Sequence, residues 1–155
     1  MASIENLPDE ILLQIFQYFT MKELLRLQQV NQQWRRVASD RTFFSTISIT
    51  ENESNSYIAV LLSRSRNAIN HLSIMEHNDI DFLAPLISEC INLESLSVKL
   101  CSGTGDELVH GLENCLKLNV IILQHTPIQK MDKLLEILSG RPMKKISIRL
   151  SLIHI

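Results

Sequence analysis

The chain has 155 residues, 45% of them hydrophobic and 21% charged, with only 4 Gly and 4 Pro; it can bury a core and is not compositionally disordered. A formal net charge of -2 gives no overall attraction for nucleic acid or an acidic membrane surface. The three cysteines, Cys90, Cys101 and Cys115, include no C-x-x-C pair, so neither a disulfide framework nor a zinc cage is indicated, and no metal or cofactor is expected.

Helix signals come three times in the first forty residues. Pro8 suits a first helical position, Asp9 and Glu10 follow where the helix dipole favours negative charge, and Ile11, Leu12, Ile15, Phe16 and Phe19 recur at helical spacing. Thr20 to Glu23 reads T-x-x-E, a capping box, and Leu24, Leu25, Leu27 and Val30 supply the next apolar face. Asn31, a good N-cap, precedes a third helix with Trp34, Val37 and Ala38. Helices of about ten residues are unstable alone, and these faces are too apolar to cover one another fully. Something else must cover the remainder.

The run Leu7-Pro8-Asp9-Glu10-Ile11-Leu12, then Ile15-Phe16, Glu23-Leu24, and Val30 with Trp34 four positions on, resembles the F-box motif across its whole length. Asn31 and Phe19 stand where that family often has Cys and Leu. Ala38-Ser39-Asp40, followed by Phe43 and Phe44, is similar to the group of the S-phase kinase-associated F-box protein and its relatives with leucine-rich repeats. The resemblance implies docking onto the adaptor subunit of an SCF-type cullin ubiquitin ligase. Carried over position by position, it assigns Leu7, Pro8, Ile11, Ile15, Leu24, Leu27, Val30 and Trp34 to the docking surface and the core supporting it.

Beyond residue 42 the chain repeats itself. Phe44, Ile47 and Ile49 set a pattern that returns at Ile69, Leu72 and Ile74, at Leu93, Leu96 and Val98, at Leu118, Ile121 and Leu123, and at Met143, Ile146 and Ile148. The steps are 25, 24, 25 and 25 residues. Leu62, Ile87, Leu112 and Ile137 recur between them in helical patterns; Thr104 to Glu107 reads as another capping box, and Gly140 with Pro142 as a helix stop. One strand and one helix per unit at this length is the leucine-rich-repeat signature, whose units must stack because none can cover its own ordering cost. The expected fold is α/β: a three-helix F-box over 1–42, then a short leucine-rich-repeat solenoid over 43–155 with parallel strands on one side and helices on the other.

The cysteines fit this scheme without chemistry. Cys90 and Cys115 are 25 apart, and Cys101 falls at the turn after a strand, as in the cysteine-containing repeats that F-box proteins often carry. The equivalent turn positions Asn52, His77, Thr126 and Ser151 vary, so no regular side-chain ladder is expected there.

Residues alternating with the inward ones form three columns on the other face of the strands. They are Thr46, His71, Ser95, Val120 and Lys145; Ser48, Ser73, Ser97, Ile122 and Ser147; and Thr50, Met75, Lys99, Gln124 and Arg149. Met75, Lys99, Gln124, Lys145 and Arg149 are the candidates for holding a protein client, and the three cations suit an acidic or phosphorylated one.

No nucleophile elbow, P-loop or H-E-x-x-H occurs, so an enzyme is not expected. No apolar run approaches the roughly 20 residues needed to cross a bilayer, and Met1 to Asp9 lacks the features of a secretory signal. These readings favour a protein of the cytoplasm or nucleus, without a nucleic-acid or membrane partner. Ser151 to Ile155 follow directly on a strand, a pattern suited to a truncated or inhibitory relative that binds the adaptor without delivering a client.

Overall fold

A computed structural model describes residues 6–150. The chain forms two compact units divided between Phe44 and Ser45.

The first unit is helical: α1 (Asp9–Phe16), α2 (Met21–Leu27), α3 (Gln32–Ala38) and a one-turn α4 (Arg41–Phe44). Pro8 stands one residue earlier than its proline signature implies, as the extended N-cap of α1 rather than its first helical residue. The Thr20 hydroxyl accepts from the Glu23 N–H and the Glu23 carboxylate accepts from the Thr20 N–H, each at 3.2 Å, which completes the capping box of α2. Asn31 caps α3 by accepting from the Trp34 N–H at 2.8 Å. The fourth helix was not foreseen; Asp40 starts it by accepting from the Thr42 N–H at 3.0 Å and the Thr42 hydroxyl at 2.6 Å. Leu12, Phe16, Leu24, Leu25, Val37 and Ala38 are buried. Such side chains each contribute about 1.5–3 kcal/mol when fully removed from water, apart from the smaller alanine.

The second unit alternates β1 (Thr46–Ile49), α5 (Asn55–Ser65), β2 (His71–Met75), α6 (Ile80–Ser88), β3 (Ser95–Lys99), α7 (Asp106–Leu112), β4 (Val120–Gln124), α8 (Met131–Ser139) and β5 (Lys145–Arg149). The five strands form one parallel sheet in chain order. Its register follows the repeat: Ile47, Leu72, Leu96, Ile121 and Ile146 align in one row, and Ile49, Ile74, Val98, Leu123 and Ile148 in another. The first four members of each row are buried, together with Leu62, Ile87 and Leu112 from the helices. Burial ends at β5, where Ile146 is 47% exposed.

Each strand entry is built alike. Successive N–H groups of Asn70 and His71 share the Ser45 carbonyl, those of Glu94 and Ser95 share Asn70, those of Asn119 and Val120 share Glu94, and those of Lys144 and Lys145 share Asn119. The exits of β2, β3 and β4 are also alike, because Glu76, Leu100 and His125 all take positive φ, between 50° and 59°. Thr50 departs from the expected third column: β1 stops at Ile49 and Thr50 pairs with no strand.

Contacts between successive strand–helix segments within the second unit shape its loops, and one of them corrects an expectation. Gly105, with φ 77°, is the N-cap of α7, and Thr104 forms no capping box with Glu107. The Asp81 carboxylate claims Thr104 instead, accepting from its N–H at 2.8 Å and its hydroxyl at 3.0 Å. At the turns, Thr126 and Cys101 do form a rung: the Cys101 N–H donates to the Thr126 hydroxyl at 3.4 Å, and that hydroxyl donates to the carbonyl of Val98 or Gln124. Ser151, the next position in that series, and the closing segment through Ile155 lie outside the described residues.

Candidate functional site

The helical unit leaves apolar side chains uncovered among the described residues. Ile11 is 39% exposed, Phe19 38%, Val30 55% and Tyr18 85%. Ile11, Gln14, Ile15, Gln17, Tyr18 and Phe19 line an open groove of about 440 Å³ along α1 and the turn after it. Apolar walls with two amides along one side suit a protein surface better than a small polar ligand.

The candidate docking residues divide by depth. Pro8, Ile11 and Val30 are exposed, Leu7, Ile15, Leu27 and Trp34 are half-buried, and Leu24 is a core residue. Trp34 stacks edge-on against Phe16 with ring centroids 5.5 Å apart, and Phe16 in turn meets Phe19 at 6.0 Å. The Trp34 Nε1–H is buried without an acceptor among the described residues. Tyr18, Gln14 and Gln17 were not foreseen as part of this surface.

A polar clasp fixes α1 against α3 beside this surface. The Gln33 side-chain amide donates to the Leu7 carbonyl and to Asp9, each at 2.9 Å, and Arg36 donates to both Asp9 oxygens at 2.9 and 3.1 Å. The Gln33 amide, and then the Arg36 guanidinium, hold the Asp9 carboxyl below its ordinary range.

On the sheet, the candidate client residues come together in register. Met75, Lys99, Gln124 and Arg149 are direct neighbours on β2, β3, β4 and β5. Lys145 lies apart from that row, opposite Val120 and four residues before Arg149 on the same strand. Met75, Lys145 and Arg149 are exposed, while Lys99 and Gln124 are half-buried.

Two of the turn residues are held by hydrogen bonds. The Nδ1 atom of His77 accepts from the Asp79 N–H at 3.0 Å, which leaves the proton on Nε2 to donate to Asn55 Oδ1 at 3.1 Å. Cys101 is buried with its sulfur 3.4 Å from the Lys99 carbonyl.

Residues 4–50 match the family model described as F-box-like. A stretch of 50 residues is 34% identical to the F-box/LRR-repeat protein 12 of Homo sapiens, covering 32% of this chain and 15% of that protein. The Mus musculus protein of the same name matches with the same identity and coverage. The similarity therefore spans only 15% of the length of these relatives.

Proposed function

We propose that this chain is a substrate-recognition adaptor of an SCF-type cullin ubiquitin ligase. Its opening helices dock on the adaptor subunit through Leu7, Pro8, Ile11, Ile15, Leu27 and Val30, over a core that includes Leu24 and Trp34. The second unit, read as a leucine-rich-repeat solenoid, holds a protein client at Met75, Lys99, Gln124, Lys145 and Arg149. Such a protein is a non-enzymatic adaptor that works in the cytoplasm or nucleus.

The observation that carries the reading is the uncovered apolar surface of Ile11, Tyr18, Phe19 and Val30, within the segment that matches the F-box-like family. A helical unit that leaves such side chains in water is built for a protein interface. The 24- and 25-residue register of five parallel strands supports the repeat assignment. The F-box/LRR-repeat names of the relatives pair the same two parts.

The test is capture of a purified SCF adaptor subunit by the full chain, compared with Ile11→Asp and Val30→Asp. Both side chains are exposed, so the variants keep the helical circular dichroism of the parent while losing capture by about tenfold or more. Undiminished capture by both variants, or none by the parent, removes the reading.

A further inference from the structure

The partner chemistry of the sheet face can be taken further, on the reading above that this face holds a protein client. Its outward positions include Lys99, Lys145 and Arg149 and not one Asp or Glu, in a chain whose formal net charge is -2. The ion pairs Asp9–Arg36, Arg66–Glu89 and Glu113–Lys133 lie elsewhere. The face thus concentrates three cations, none of which forms an ion pair within the described residues.

Their arrangement has an order. Across β2 to β5 the row reads Met75, Lys99, Gln124, Arg149: apolar, cation, amide, cation. Strands about 4.8 Å apart set the Lys99 and Arg149 backbones about 10 Å from each other, and Lys145 lies about 13 Å along β5 from Arg149. The adjoining column supplies hydroxyls from Ser73, Ser97 and Ser147. Met75 is 40% exposed, an apolar contact at the end of the row.

We infer that this face binds an extended acidic segment of a partner protein, lying across the strands with an apolar side chain at Met75 and carboxylates answering Lys99 and Arg149. Carboxylates two residues apart on an extended chain are separated by about 6.7 Å and point the same way; the long Lys and Arg side chains close the remaining difference. Nucleic acid fits less well, because the outward positions of the strands carry no Phe, Tyr or Trp on which a base could stack, and the one imidazole, His71, lies at the far end of β2 from the row of Met75 and Lys99.

The experiment uses the full chain and a fluorescein-labelled nine-residue peptide, with one leucine followed by glutamates two and four positions later in a Gly/Ser background. A peptide with lysines for the glutamates and a labelled single-stranded oligonucleotide are run beside it. The glutamate peptide is expected to raise anisotropy with the parent, and less so as salt is added. Lys99→Glu with Arg149→Glu should weaken that binding about tenfold or more and take up the lysine peptide instead. If the charge reversal unfolds the chain, Lys99→Gln with Arg149→Gln is expected to lose the glutamate peptide alone. Equal binding of the glutamate peptide by parent and variants, no binding by the parent, or a preference for the oligonucleotide overturns the inference. Adaptor capture, measured on the same samples, should be unchanged by these sheet variants. Its absence from the parent, with the peptide selectivity intact, removes the ligase reading and leaves the acidic-segment surface standing.

Discussion

Asp81, in the first turn of α6, holds Thr104 by two hydrogen bonds, 2.8 Å from its N–H and 3.0 Å from its hydroxyl, and reaches the Gly105 N–H at 3.1 Å as well. One carboxylate of one unit therefore shapes the turn that starts the helix of the next. Hydrogen bonds to a charged acceptor are worth about 1.5–3 kcal/mol when shielded, and solvent reduces this at an exposed turn. Asp81→Ala is expected to cost about 1–2 kcal/mol, with Asp81→Asn between it and the parent. Urea denaturation followed by circular dichroism would show the loss as a lower midpoint, and an unshifted midpoint would mean that the turn holds without the carboxylate.

Gly105 is the second fixed point of that turn. Its φ of 77° is one that side-chain-bearing residues rarely adopt, and a Cβ there would lie 2.4 Å from the Pro127 carbonyl oxygen and 2.7 Å from the Ile128 side chain. The obstacle includes backbone, so it cannot swing aside. Gly105→Ala should destabilise the chain by about 2–4 kcal/mol, combining backbone strain with overpacking. At Gly140 a Cβ meets nothing nearer than 3.9 Å and φ is -82°, so Gly140→Ala should change the melting temperature little. Equal melting of the two variants would contradict this account.

The rows of the sheet were legible because a residue buried in one unit must be buried at the same place in the next. Ile47, Leu72, Leu96 and Ile121 therefore announced their register from spacing alone. The caps at Thr20 and Asn31 were legible for a similar reason, since each depends on residues three positions away. What stayed hidden depends on partners that local spacing does not show. Thr104 carries the letters of a capping box, yet an acid 23 residues upstream outcompetes Glu107 for it. The Arg141 guanidinium donates to the carbonyls of Leu112, Glu113 and Cys115 at 2.7 to 3.2 Å, satisfying the end of α7 from the following unit. At the candidate docking surface, the motif pointed to Ile11 and Val30, whereas the groove beside Tyr18 arises where α1 ends and the chain turns.

The positive φ angles of Glu76, Leu100 and His125 recur where β2, β3 and β4 leave the sheet. A side-chain-bearing residue in this region costs about 1–2 kcal/mol, part of which glycine returns in greater chain entropy. Leu100 is also 50% exposed, so removing its side chain forfeits little packing. Leu100→Gly is expected to be neutral or to stabilise by up to about 1 kcal/mol, while Val98→Ala, two residues earlier and fully buried, should cost about 1–3 kcal/mol. Thermal melts of the two variants should move in different directions or by clearly different amounts. A Leu100→Gly loss as large as that of Val98→Ala would show that the side chain is needed at the turn.

Cys90, Cys101 and Cys115 are all buried free thiols. Burial pushes Cys90 up to about 12 and Cys115 to about 11, and it raises Cys101 as well. Each folded thiol holds its proton more tightly than the same thiol in the unfolded chain, where ionisation occurs near 8.5. Below that pH both states are protonated and the shift has no effect on stability; above it the unfolded state loses protons first, so stability falls as pH rises toward the folded values. Denaturant midpoints should therefore decline from about pH 9 upward, with a shallower decline in Cys90→Ala after allowance for its own lower starting stability. Since the thiolate is the reactive form, iodoacetamide at about pH 8 should leave the native thiols largely unmodified and label all three in denaturant. Rapid labelling of the native chain would mean that the units open far more often than so closely buried a set of thiols allows.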